Sequence, residues 1–79
     1  MIITQQEVYQ ALIALNVRSR LDCTATQIAR KLGYEPKQEV TNEIGWRLAR
    51  LREKEYIVGG KGRGWTVMEY LPWENRVWM

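Results

Sequence analysis

The pattern Thr-x-x-Glu/Gln occurs twice in the first third of the chain, each time between two apolar residues, and it fixes where two helices begin. At the first, Thr4 can accept from the amide of Glu7 while Glu7 reaches back to the amide of Thr4, and Ile3 and Val8 stand at the positions of a hydrophobic staple. At the second, Thr24 and Gln27 hold the same relation, flanked by Cys23 and Ile28. Each box satisfies amide donors that a helix start otherwise leaves unpaired.

The residues after each box continue the argument. Val8, Ala11, Leu12 and Leu15 recur at helical spacing and predict a first helix over about residues 4–17. Ile28, Ala29 and Leu32 predict a short second helix over about 25–32, with Gly33 placed for a left-handed C-cap. The connector between them, at Leu21–Thr24, suits a short edge strand. Tyr34-Glu35-Pro36 is a turn, and Pro36 suits the first position of a third helix, where its missing amide costs nothing. Val40, Ile44, Leu48 and Leu51 then follow at helical intervals, predicting a long helix over about 37–53, with Thr41 as an alternative start. Gly45 inside it costs about 1 kcal/mol relative to alanine, and close approach of another backbone would account for it.

Beyond the third helix the period changes. Tyr56-Ile57-Val58 favours a strand, Gly59 to Gly64 forms a glycine-rich turn, and Trp65 to Tyr70 alternates as a returning strand. Pro72 ends it. The expected fold class is α+β and mostly helical: three helices plus a C-terminal β-hairpin, occupying residues 1–71, with 72–79 as a tryptophan-containing tail. At 79 residues the chain is expected to form one domain.

Charge and composition narrow the function. The net charge is +3, but residues 1–43 sum to zero and residues 65–79 to −1, whereas Arg47, Arg50, Arg52, Lys54, Lys61 and Arg63 against Glu53 and Glu55 give +4 over residues 44–64. A basic surplus concentrated in one region points to a polyanionic partner. Cys23 is the single cysteine, so no intrachain disulfide can form, and the absence of histidine excludes zinc sites built from Cys and His. It also removes the commonest general base and leaves Cys23 without an imidazole partner. The glycine run lacks both the strand-then-helix context and the Lys-Ser/Thr ending of a nucleotide-phosphate loop. No catalysis, cofactor, metal or small-molecule ligand is expected. The start lacks the basic-then-apolar pattern of a secretory signal, and no apolar stretch approaches the ~20 residues that cross a bilayer, so a cytoplasmic protein without membrane contact is expected.

Three blocks in order carry a resemblance: Thr24-Ala25-Thr26-Gln27-Ile28-Ala29-Arg30-Lys31-Leu32-Gly33; then Ile44-Gly45-Trp46-Arg47-Leu48-Ala49-Arg50-Leu51-Arg52 running on to Ile57; then Gly60 to Trp65. The chain resembles the winged helix-turn-helix family of DNA-binding domains over roughly residues 4–70. The resemblance implies that the first block precedes the turn, the second is the recognition helix, and the third is the wing. Glu55 stands where that family often has glycine.

If Val40, Ile44, Leu48 and Leu51 face inward, the opposite face of the third helix holds Gln38, Asn42, Trp46, Arg50 and part of Arg47. Asn and Gln can pair with adenine and Arg with guanine in the major groove. Lys37, Thr41 and Arg47 are placed for phosphates, which orient without reading sequence. Lys61 and Arg63 at the wing favour phosphate or minor-groove contact. Thr24, Thr26 and Gln27 at the second helix are capping residues first and backbone contacts second. Glu39 and Glu43 lie on or near the reading helix and would repel phosphate.

Each feature also has a plainer account. The arginines could pair with Glu43, Glu53 and Glu55 on a solvated face. Lys61 and Arg63 could keep an exposed loop soluble. Trp46 could pack on the tail or on a partner subunit, and Trp65 belongs to the core. Two functions therefore stand side by side. One is a double-stranded DNA-binding transcriptional regulator, of repressor type, that reads the major groove with 37–53 and touches backbone or minor groove with 59–64. The other is a winged-helix protein-interaction module using Trp46, Trp73 and Trp78. A homodimer through the tail fits either.

Overall fold

A computed structural model describes residues 3–19, 23–60 and 64–68. Its elements are α1 (Gln5–Ser19), α2 (Ala25–Lys31), α3 (Gln38–Glu53), β1 (Ile57–Gly60) and β2 (Gly64–Val67). The fold is α+β and mostly helical: three helices followed by an antiparallel hairpin, a winged-helix-like layout.

Both capping boxes form. The Glu7 amide donates to Thr4 Oγ1 and the Thr4 amide to Glu7 Oε1, each at 3.1 Å. At α2 the Gln27 amide donates to Thr24 Oγ1 at 3.3 Å and the Thr24 amide to Gln27 Oε1 at 2.8 Å. The staple residues Ile3, Val8, Cys23 and Ile28 are all buried. A Schellman motif ends α2: Gly33, at φ +89°, donates to the Arg30 carbonyl, and Tyr34 donates to Ala29. The same motif ends α3, where Glu55 donates to Arg52 and Tyr56 to Leu51. Here the left-handed residue is Glu55, at φ +64°.

Helix α3 begins one residue later than expected. Lys37 is the N-cap, with extended backbone and no side-chain cap. Pro36 therefore precedes the cap instead of opening the helix, and it steers the chain through the turn that the Lys37 amide closes on the Glu35 carbonyl.

Val40, Ile44, Leu48 and Leu51 form the buried stripe of α3, packed against α1, α2 and β1. Among the described side chains of α1 the buried residues are Val8, Tyr9, Ala11, Leu12 and Asn16, while Leu15 is half-buried against the core. Tyr9 meets Tyr56 edge to face, ring centroids 6.1 Å apart. Asn16 is the buried polar residue of the described core. Its Nδ2 donates to Cys23 Sγ at 3.3 Å, and its Oδ1 accepts from the Val67 amide at 2.8 Å. One amide side chain thus joins α1 to the segment before α2 and to β2.

The hairpin pairs Ile57 with Val67, Val58 with Thr66, Gly59 with Trp65 and Gly60 with Gly64. The ladder runs through glycines expected in the turn, because Gly59 at φ +130° lies so close to β2 that a Cβ there would collide with the Gly64 carbonyl oxygen. Cys23 adds one bridge to the far side of β2. Its amide donates to the Trp65 carbonyl at 3.0 Å, and the Trp65 amide returns a bond at 2.7 Å. The expected edge strand is therefore a single bridge in the described residues. Lys61, Arg63 and the tail with Trp73 and Trp78 lie outside them, as does the end of the expected return strand.

Candidate nucleic-acid interface

The inward stripe of α3 dictates what its outer face shows. Gln38, Asn42, Trp46 and Arg50, four residues apart, are all exposed, Trp46 to 68%. The side chains of these four residues have no intramolecular hydrogen-bond or ion-pair partner among the described residues.

The other basic residues from Arg47 to Lys54 are committed. Arg47, expected on the reading face, turns back into the protein: its Nε donates to the Ile3 carbonyl at 2.9 Å, and its Nη2 pairs with Glu43 at 2.9 Å. It pins the start of the chain to α3, and it neutralises Glu43. Arg52 donates to the Gly59 carbonyl at 3.3 Å and lies 5.5 Å over the Trp65 ring, tying α3 to the hairpin. Lys54 donates to Gln5 Oε1 at 3.4 Å and sits over Tyr56. Of the four basic residues from Arg47 to Lys54, Arg50 alone has no partner among the described residues. The pairing of Arg50 and Arg52 with Glu53 and Glu55 weighed from the sequence is not found there.

The remaining expected contacts fall into two groups. Lys37 pairs loosely with Glu35 at 3.5 Å, both side chains well exposed, which leaves it recruitable. Thr41 is half-buried, and its hydroxyl donates to the Gln38 carbonyl at 3.1 Å, so it serves its own helix. Thr24 and Gln27 use their side-chain oxygens in the cap, and Thr26 is half-buried beside them.

A shallow groove of about 390 Å³ runs beside Trp46, which the sequence did not announce. On α3 it is lined by Thr41, Asn42, Gly45, Trp46 and Ala49. Ala25 at the start of α2 and Trp65 on β2 also line it, and Arg52 is the charged residue of its described lining. Among the described residues a Cβ at Gly45 would meet nothing within 4 Å, so none of them makes the close backbone approach expected there. Residues 42, 45, 46 and 49 are themselves a helical stripe, so this signal was available. Trp65 is buried, as expected of a core residue, and shows an edge to the groove. Its share in the groove depends on the hairpin folding back onto α3.

No group of His, Cys, Asp and Glu among the described residues could hold a metal ion, and no described helix is long and apolar enough to cross a membrane. No family model matches the chain, and no curated protein or solved structure shows significant similarity to it.

Proposed function

We propose that this chain is a duplex-DNA-binding regulator of the winged helix-turn-helix kind, which lays α3 in the major groove and sets the hairpin tip against the neighbouring backbone or minor groove. The observation that carries the reading is the file Gln38–Asn42–Trp46–Arg50: exposed, free of internal partners among the described residues, and rich in the side-chain types that pair with adenine and guanine edges. A face kept only for solubility has no need to hold Arg50 apart while Arg47, Arg52 and Lys54 are bound internally. Lys37, Lys61 and Arg63 supply phosphate contacts. Arg47 drops out of the contact set and becomes a positioning residue. The role is binding without catalysis.

The test is a binding titration with random-sequence duplex at two salt concentrations, followed by selection of preferred duplexes. Affinity should fall as salt rises, through counterion release, with a slope of log affinity against log salt of about −3 for the contacts of Lys37, Lys61 and Arg63. Arg50→Ala should relax preference at one base position, by about 1–3 kcal/mol. Absence of binding at low salt would defeat the reading.

A second reading is favoured by the 68% exposure of Trp46 beside the groove: an interaction module that docks a partner protein there. Under it Trp46→Ala abolishes partner binding, whereas Arg50→Ala does little.

A further inference from the structure

We infer that the shelf made by Gly45, Trp46 and Ala49 reads thymine: it receives the 5-methyl groups of the major groove, between an adenine paired by Asn42 and a guanine paired by Arg50. The inference rests on α3 being the groove-reading helix.

The centre of the outer face is apolar while its ends are polar. Trp46 is the most exposed large hydrophobic residue of the described chain, with Gly45 and Ala49 beside it. Covering a base edge with an indole strips water from it, which is unfavourable for any donor or acceptor left unpaired. Among the groups that base pairs present in the major groove, the thymine methyl is the one an apolar surface can cover without that loss. Among the described residues nothing lies within 4 Å of where a Gly45 Cβ would stand, which gives the methyl room.

The dimensions agree. Asn42 and Arg50 are separated by about 12 Å along the helix axis, at about 1.5 Å per residue. A helix that follows the groove runs oblique to the duplex axis, so this length covers about three base pairs. Trp46 lies midway, over the one or two central pairs. The recognition element is thus A and G at either side, with thymine at the centre.

The experiment uses the full chain and a duplex selected from a random pool, prepared once with thymine and once with deoxyuridine, which removes the methyl and keeps the pairing edge. Wild-type affinity should drop about three- to fivefold for each contacted methyl lost. Trp46→Ala, an exposed change that leaves the core intact, should bind the thymine duplex more weakly and treat both versions alike. A selected site without central thymine overturns the inference. So does equal wild-type affinity for the two versions, or a Trp46→Ala variant that still separates them. Each of these leaves DNA binding standing, whereas failure to bind any duplex at low salt removes both.

Discussion

At the scale of single residues, two positions show how a local departure reveals its own energetics. Asn16 is fully buried, and its carboxamide is the acceptor for the Val67 amide. Leucine has the same branched four-atom side-chain skeleton and no acceptor, so Asn16→Leu leaves that amide without this bond in a dry site. The expected cost is about 1–3 kcal/mol, measured by denaturant unfolding, with faster hydrogen exchange at the Val67 amide as the specific sign. Unchanged exchange there would mean that the amide finds another acceptor. Glu55 poses the opposite case. It holds φ +64° at the end of α3, a left-handed conformation that costs an L-residue about 1–2 kcal/mol. Glycine adopts it freely but loses more entropy on folding. The difference predicts that Glu55→Gly stabilises the protein by about 0.5–1 kcal/mol, seen as a rise in Tm of a few degrees. A fall in Tm would show that the Glu55 side chain does something that outweighs its backbone strain.

At the scale of elements, two glycines sit in regular structure and respond oppositely to the same methyl group. Gly45 lies inside α3 with open space where a Cβ would stand, so Gly45→Ala gains helix propensity, about 0.8–1 kcal/mol of stability. If the groove holds DNA, the same variant binds duplex more weakly although it is more stable, and thermal melts run beside binding titrations separate the two effects. Gly59 lies inside β1 against the Gly64 carbonyl and the Trp65 Cα, at φ +130°, so Gly59→Ala should cost about 2 kcal/mol or more and loosen the hairpin first. A Gly59→Ala protein as stable as wild type would contradict the hairpin register. The sequence made the helices legible because their determinants are local: caps three residues apart and stripes three or four apart. It did not reveal that pairing runs through Gly59 and Gly60, because that depends on the partner strand. It did not show Arg47 bonded to the Ile3 carbonyl, 44 residues away, and so placed that guanidinium on the reading face. Gln38, Asn42, Trp46 and Arg50 were legible as one face because they lie opposite a clean buried stripe. The part of the groove beside them that α2 and β2 supply was not, since Ala25 and Trp65 reach it only through tertiary packing.

For the molecule as a whole, charge is divided by use. The surplus of +4 over residues 44–64 suggests a broad phosphate-binding surface. The fold withdraws most of what is described: Arg47 joins the start of the chain to α3, Arg52 joins α3 to the hairpin, and Lys54 joins α3 to α1. On the proposed reading Arg50 meets a base edge, and Lys61 and Arg63, which lie outside the described residues, meet the backbone. A protein that meets few phosphates has a shallow salt dependence, since each contact contributes about −0.9 to the slope of log affinity against log salt. Replacing Lys61 and Arg63 together by glutamine should therefore reduce the slope by about 2. Affinity should fall in the same proportion on every duplex, and the selected sequence should stay the same. Titration of the wild type and the double variant at four or so salt concentrations, on a selected and an unrelated duplex, reads all three quantities at once. An unaltered slope with a changed sequence preference would place the hairpin tip on bases instead of phosphates. The affinity of this small domain would then rest on shape and base-edge contacts, with charge confined to holding the domain together.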